Sequence, residues 1–260
     1  GEPWRGRSKK IFLLLLVRNN LVMKNIVILG ATGHLGDLAL ELIYRFSDEF
    51  QVTGMSADIN AEKMIERVEE FHCSKFFLRS KNVEDHRQTG ALEDLVDEST
   101  DHLMILDHGI DSLKAVLKAI SLRKRVSIAN KEFILVHGPD MLYFAREQQC
   151  EVIPLDSEHN AIFQCLQGER IAEVRRVILT SSGGPFRDFT WADLNDVGIE
   201  QVLHHPTWKM GKKNTVDSAT LVNKAFEVIE THHLFGIPYE RIEVRMHPES
   251  IVHAIVEFTD

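Results

Sequence analysis

Six short apolar runs, separated by segments of helical period, constrain this chain more than any other feature. They are Asn25–Leu29, Phe50–Ser56, Lys75–Leu78, Leu103–Leu106, Val126–Ala129 and Cys150–Pro154. Each has strand length, and most alternate too little for a strand with one wet face, so those must have both faces covered. Between them, Leu38, Leu42 and Ile43, then Ala61–Phe71, then Leu113, Val116, Leu117 and Ile120 read as helices, with a helix-like acidic segment at Ala91–Asp97 and a crossover helix at Met141–Gln149. Regular alternation of buried strand and helix predicts an α/β fold built on a Rossmann-like, doubly wound parallel sheet. Beyond it, the strand-like stretches Arg176–Ser181, Ile242–Met246 and Ile251–Phe258 and a helix after Asp217-Ser218, burying Val222, Ala225, Phe226 and Ile229, predict a smaller α+β catalytic or connective domain. The expected boundaries are a leader over 1–24, a dinucleotide-binding domain over 25–149, and a catalytic and dimerisation domain over 150–260 that stops before its sheet is completed.

The leader is set apart because Arg5, Arg7, Lys9 and Lys10 precede the apolar run Ile11–Val17, which is too short to span a bilayer and has no small-residue cleavage site after it. Met23 is the expected natural start. A net charge of −9 argues against general nucleic-acid binding, and no membrane association is expected. Cys73, Cys150 and Cys165 lack metal-ligand spacing and read as buried thiols of a reducing cytoplasm.

Gly30, Thr32, Gly33, His34, Leu35 and Gly36 follow the first strand and open a helix, so that backbone N–H groups can approach a pyrophosphate; a plain tight turn is the alternative. At the end of the second strand, Asp58 and Asn60 stand where an adenosine ribose would lie, and an acid there accepts from the 2′-hydroxyl and repels a 2′-phosphate. Lys131 ends the fifth run, read either as a site lysine or as a solvated one. Asp156, Ser157 and Glu158 end the sixth. Either Asp156 or Ser157 caps the next helix, or Asp156 and Glu158 hold a hard cation at the carboxyl edge of the sheet. The Ser181-Ser182-Gly183-Gly184-Pro185 loop is an anion nest or a turn. Trp208, on a glycine-punctuated segment from His204, suits a lid. Ser218 at a helix start with Asn223 and Lys224 nearby suits a phosphate, and Glu227 one turn on suits an adjacent metal; a capped amphipathic helix with an ion pair is the alternative.

These motifs, in order, resemble the 1-deoxy-D-xylulose 5-phosphate reductoisomerase family: Ala129-Asn130-Lys131-Glu132, Asp156-Ser157-Glu158-His159-Asn160, Ser182-Gly183-Gly184-Pro185-Phe186, His205-Pro206-Thr207-Trp208-Lys209-Met210-Gly211, and Val216-Asp217-Ser218-Ala219-Thr220 with Asn223-Lys224 and Glu227. The resemblance covers 25–260 and implies metal-dependent rearrangement and NADPH-dependent reduction of a sugar phosphate in isoprenoid precursor biosynthesis, by a cytoplasmic homodimer. It implies that Asp156, Glu158 and Glu227 hold Mg²⁺ or Mn²⁺. Ser157, Ser182, His205, Trp208, Ser218, Asn223 and Lys224 would face the substrate, with Lys131 beside the metal-bound oxygens and His205 also counted as catalytic. Asn130, Glu132, Met210 and Gly211 would join the glycine turn around the nicotinamide cofactor.

The chain departs from the family pattern at His34 and Leu35, at Asp58-Ile59, where a glycine and a basic or small polar residue are usual, and at Asp107-His108-Gly109-Ile110. The second departure brings NADH into consideration. The family's C-terminal helical domain is missing, which marks a fragment and makes a non-catalytic nucleotide-binding relative the alternative. A short-chain dehydrogenase is excluded, because Tyr44, Tyr143 and Tyr239 are followed four residues later by Asp48, Glu147 and Glu243 instead of lysine.

Overall fold

A computed structural model describes residues 23–80, 83–204 and 212–260. The chain divides into two compact units, one running up to Glu132 and including Tyr143–Leu155, the other made of Phe133–Leu142 and Asp156–Asp260.

The first unit holds β1 (Lys24–Leu29), β2 (Phe50–Ala57), β3 (Lys75–Leu78), β4 (His102–Ile105), β5 (Arg125–Ile128) and β6 (Val152–Pro154) in one parallel sheet of order β3-β2-β1-β4-β5-β6. Helices α1 (His34–Arg45), α2 (Ala61–Glu70) and α3 (Leu113–Ser121) make the crossovers between its strands. The strand order reverses between β1 and β4, which places a crevice at the carboxyl ends of those two strands, next to Gly30. The core is mainly apolar: Ile26, Ile28, Met55, Met64, Phe76 and Met104 are each at most 1% exposed, and such side chains contribute roughly 1.5–3 kcal/mol apiece. Cys73 lies in it, and burial pushes its thiol up to about 11. Contrary to expectation, Cys150 is only half-buried and Cys165 is exposed.

Two helix expectations change here. The helix-like acidic segment at Ala91–Asp97 is helical for one turn only, a 3₁₀ helix at Leu92–Leu95. Its short polar side chains bind nearby backbone instead: Ala91 N donates to Asp94 Oδ2 (3.1 Å) and Ser99 N to Asp97 Oδ1 (2.9 Å). The crossover helix α4 is Lys131–Glu147, ten residues longer at its start than Met141, with Pro139 inside it. Gly138-Pro139 reads as a breaker in sequence, yet helical geometry continues through it.

In the second unit β7 (Val174–Ser181) lies between β8 (Ile242–Met246), parallel to it, and β9 (Ala254–Phe258), antiparallel. Helices α5 (Ser157–Cys165), α6 (Ile199–Val202), α7 (Lys212–Ala219) and α8 (Val222–Phe235) complete it. Its buried apolar cluster is small: Ile162, Val174, Val177, Leu179 and Ile237.

The single helix expected after Asp217-Ser218 is in fact the end of α7 followed by α8, with Leu221 between them at φ 62°. The expected buried face of α8 is also inverted. Val222 is 42% exposed and Ala225 is exposed, whereas Lys224, Glu227, Glu230 and Thr231 are buried. An amphipathic template points its apolar side inward; here the buried side is polar and mutually compensated.

Candidate functional site

The polar face of α8 meets the start of α5 in a cluster of charge. Lys224 Nζ lies 2.7 Å from Glu158 Oε1 and is also paired with Glu227. Asn223 Nδ2 donates to Glu227 Oε1 at 2.5 Å, and the Ser157 hydroxyl to Glu158 Oε2 at 2.5 Å. Burial pushes the Glu158 carboxyl up, as does the charge of Asp156, but the Lys224 ammonium outweighs them and holds it below the usual range. Burial in turn lowers Lys224, and the Glu158 and Glu227 carboxylates outweigh it and raise its affinity for the proton. Each partner thus favours the charged form of the other against the cost of burial.

Asp156 occupies the N-cap position of α5 with extended backbone (φ −60°, ψ 139°), but its side chain makes no capping hydrogen bond. The capping reading fails for Asp156. Its carboxylate instead groups with His159 and Glu230, one ligand atom from each lying within 4.8 Å of the others.

The sequence reading missed His159 and Glu230 as site residues. His159 is fully buried; its Nε2 donates to the Glu227 carbonyl at 2.9 Å, and the same carbonyl accepts from Thr231 Oγ1 at 2.8 Å. Because a carbonyl only accepts, Nε2 carries a proton, and in the neutral ring Nδ1 keeps its lone pair. That nitrogen has no hydrogen-bond partner and lies 3.8 Å from Glu230 Oε2. The missed signal was the i, i+3 spacing of Glu227 and Glu230, which puts both on one face.

This donor set fits a hard divalent cation. Asp156, Glu158 and Glu227 offer carboxylate oxygens, and Lys224 pairs with both Glu158 and Glu227.

Gly183 (φ 93°) and Gly184 (φ 67°) turn the chain after β7 so closely that a Cβ on Gly184 would lie 2.2 Å from the Ser218 carbonyl. The Ser182 loop is thus set against the end of α7. Ser218 stands in the last turn of α7, not at a helix start, so the dipole there does not favour an anion. Asn223 and Lys224, in the first turn of α8, do have that advantage. His205, Trp208, Met210 and Gly211 lie outside the described residues.

In the first unit the glycine turn is built from backbone. Gly30 sits at φ 87°, where a Cβ would come within 2.6 Å of Asp107 N, and a Cβ on Gly36 would meet the Gly30 carbonyl at 2.4 Å. Gly33 occupies the N-cap of α1 with no side-chain cap, and Thr32, His34 and Leu35 complete the turn, the last two exposed. Such a turn leaves helix N–H donors available to a pyrophosphate, which fits a dinucleotide. Asn60 has a structural task, since its side chain caps α2 by accepting from Lys63 N at 3.1 Å. Asn130 Nδ2 donates to the Gly109 carbonyl at 2.7 Å, tying the end of β5 to the loop after β4. Lys131 opens α4 at 4% exposure, which overturns the solvated-lysine reading, and Glu132 beside it is half-buried.

The family model for 1-deoxy-D-xylulose 5-phosphate reductoisomerase matches residues 26–138, and that for the C-terminal domain of the same family matches 152–235, between them more than half of the chain. The 1-deoxy-D-xylulose 5-phosphate reductoisomerase of Clostridium beijerinckii is 41% identical over 254 residues, covering 92% of this chain and 66% of the relative. Among solved structures, the Zymomonas mobilis reductoisomerase in complex with NADPH superposes with a TM-score of 0.83 at 35% identity, covering 92% of this chain and 65% of that one. A DOX-P reductoisomerase in complex with NADPH, fosmidomycin and magnesium gives a TM-score of 0.83 at 29% identity, over 92% and 64%. The chain thus spans just under two thirds of the length of these relatives. The shared profile over both units, the fold and the ordered motifs lead to one conclusion: the chain belongs to the 1-deoxy-D-xylulose 5-phosphate reductoisomerase family.

Proposed function

We propose that this chain carries out the metal-dependent rearrangement and NADPH-dependent reduction of 1-deoxy-D-xylulose 5-phosphate to 2-C-methyl-D-erythritol 4-phosphate, feeding isoprenoid precursor synthesis. The observation that carries the reading is the buried cluster of Glu158, Glu227 and Lys224 beside Asp156. A bound Mg²⁺ or Mn²⁺ would supply Lewis-acid polarisation of the substrate's carbonyl and hydroxyl oxygens, and the nicotinamide would supply the hydride. Asp156, Glu158 and Glu227 are the residues to hold the cation. Lys224 and Asn223, at the N-terminal end of α8, would bind the substrate phosphate with the Ser182 and Ser218 hydroxyls, leaving Ser157 toward the sugar. We assign His205 and Trp208 to the substrate as well, Lys131 to the oxygens next to the cation, and Met210, Gly211, Asn130 and Glu132 to the cofactor.

The exposed Val244, Met246 and Ile255 on the outer strands of the second sheet support assembly as a homodimer. No helix among the described residues is long and apolar enough to cross a membrane.

The test follows nicotinamide oxidation with 1-deoxy-D-xylulose 5-phosphate, with and without each metal. Metal-dependent turnover is expected, and Glu158→Gln should lower kcat by at least a hundredfold while leaving nucleotide affinity within about twofold. Nucleotide binding without turnover under any metal would favour the non-catalytic alternative.

A further inference from the structure

Beyond the ends of β2 and β3, where an adenosine would lie, the chain is held by backbone. Arg79 N donates to the Ala57 carbonyl at 3.1 Å, and the N–H and hydroxyl of Ser80 both donate to the Asp58 carbonyl, at 3.1 and 2.6 Å. Pairing therefore runs past both strands and fixes where the Asp58 and Arg79 side chains start. The Arg79 side chain, 39% exposed, reaches two carboxylates. Its Nη1 donates to Asp111 Oδ2 at 2.7 Å, a charge-assisted hydrogen bond. Its Nε stands 3.5 Å from Asp58 Oδ1, too far for one. Two cations of α2 are committed to the α1 side of this corner. Lys63 donates to the Thr32 carbonyl at 3.0 Å and pairs with Asp37 at 2.7 Å, while Arg67 pairs with Asp37 at 3.2 Å and with Glu70 at 2.5 Å.

A guanidinium carries its donors as a rigid planar fork. Asp111 takes the Nη1 side. The Nε–Nη2 side, which can grip a phosphate through two parallel hydrogen bonds, meets only the loose contact with Asp58 among the described residues. Asp58 is 67% exposed, so water competes for that contact, and a 2′-phosphate with a charge of about −1.5 to −2 competes better still. In a doubly wound sheet an acid after β2 serves the ribose hydroxyls, whereas an arginine nearby accommodates a 2′-phosphate. Ile59, after Asp58, has no donor to offer and is 76% exposed; Ile110, before Asp111, is 42% exposed. Because Asp58 and Asp111 reach one guanidinium, these neighbours bring apolar surface to the same corner, suited to an adenine. We propose that Arg79 is the specificity-determining residue of the nucleotide site: steadied by Asp111, it receives the 2′-phosphate of NADPH on its Nε–Nη2 side and offsets the charge of Asp58. The proposal rests on the NADPH reading of the proposed function and names the residue that makes that reading selective.

The experiment is a fluorescence titration of the full chain with NADPH and with NADH, giving two Kd values for the wild type, Arg79→Met and Arg79→Lys. The wild type should bind NADPH at least tenfold more tightly than NADH. Arg79→Met keeps an apolar stem and loses the charge; it should weaken NADPH binding tenfold or more and leave NADH binding within twofold. Arg79→Lys keeps the charge and loses the fork, so its preference for NADPH should fall at least threefold without vanishing. Added salt should shrink the wild-type preference and leave the ratio in Arg79→Met nearly flat, a screening signature that a merely structural change at Arg79 would not produce. A wild type without preference would overturn the proposal. So would an Arg79→Met that leaves NADPH affinity unchanged or weakens both nucleotides alike, since Arg79 would then serve the fold of the corner and not the phosphate. Failure of both nucleotides to bind the wild type would overturn the NADPH reading itself.

Discussion

The two units bury polar groups to opposite ends. In the first, the fully buried His102 pairs through Nε2 with the Ser127 hydroxyl at 2.7 Å, a neutral contact inside an apolar sheet, and the candidate nucleotide turn is made of backbone. In the second, a buried lysine and its carboxylates take up the face of α8 that would otherwise be core, beside a small apolar cluster. Buried neutral pairs and strained turns hold a shape, while buried charges hold it only as long as they stay balanced. The second unit thus couples its stability to what occupies its site, whereas the buried polar pair within the sheet of the first is neutral, and its buried Lys131 stands outside that sheet at the start of α4.

The sharpest way to break that contrast is to unbalance the second unit. Lys224→Met removes the ammonium from Glu158 and Glu227, whose side chains are 15% and 2% exposed. Loss of one partner of a buried pair costs about 3–5 kcal/mol, so thermal unfolding should move down by many degrees. Millimolar Mg²⁺ should then raise the melting temperature of Lys224→Met by more than it raises that of the wild type, because a cation can serve the orphaned carboxylates. Equal metal effects on the two proteins would show that these carboxylates are not a cation seat.

Backbone is the corresponding target in the first unit. Gly30→Ala forces a side chain into φ 87° and against Asp107 N. The conformation alone costs roughly 1–3 kcal/mol, and nucleotide affinity should fall together with stability. Mg²⁺ should offset none of it. A metal-dependent recovery of Gly30→Ala would erase the distinction between the units.

This division also explains what could be read in the sequence. The parallel sheet was legible because β1 and β4 carry the continuous apolar runs Ile26–Leu29 and Leu103–Ile105, and the glycine turn because Gly30, Gly33 and Gly36 mark it directly. The cluster of Glu158, Glu227 and Lys224 was legible as a set of residues but not as a structure. Periodicity put Val222, Ala225, Phe226 and Ile229 inside α8, since no rule of patterning anticipates a lysine buried by two carboxylates that are far off in the chain or on its own helix. Leu221, an ordinary residue at φ 62°, gave no sign of the break that moves Ser218 to the end of α7. His159 sat in plain view beside Glu158, but its role depends on the Glu227 carbonyl, 68 positions away.

The smallest effect expected is a pH dependence confined to the first unit. Burial, with a minor contribution from the charge of Arg125, pushes His102 down to about 3 from an unfolded value near 6.5. Between those values the unfolded chain binds the proton and the folded one does not, so stability falls as pH falls, by up to about 1.4 kcal/mol per pH unit. Above 6.5 the histidine contributes no slope. Urea unfolding of the wild type and of His102→Gln at pH 7.5, 7, 6 and 5 isolates this group, because carboxylates elsewhere titrate alike in both proteins. The wild type should lose more stability than His102→Gln between pH 6 and 5, and the same amount between 7.5 and 7. Parallel curves down to pH 5 would mean that the first unit lets water reach His102, and its neutral core would no longer stand in contrast to the charged interior of the second.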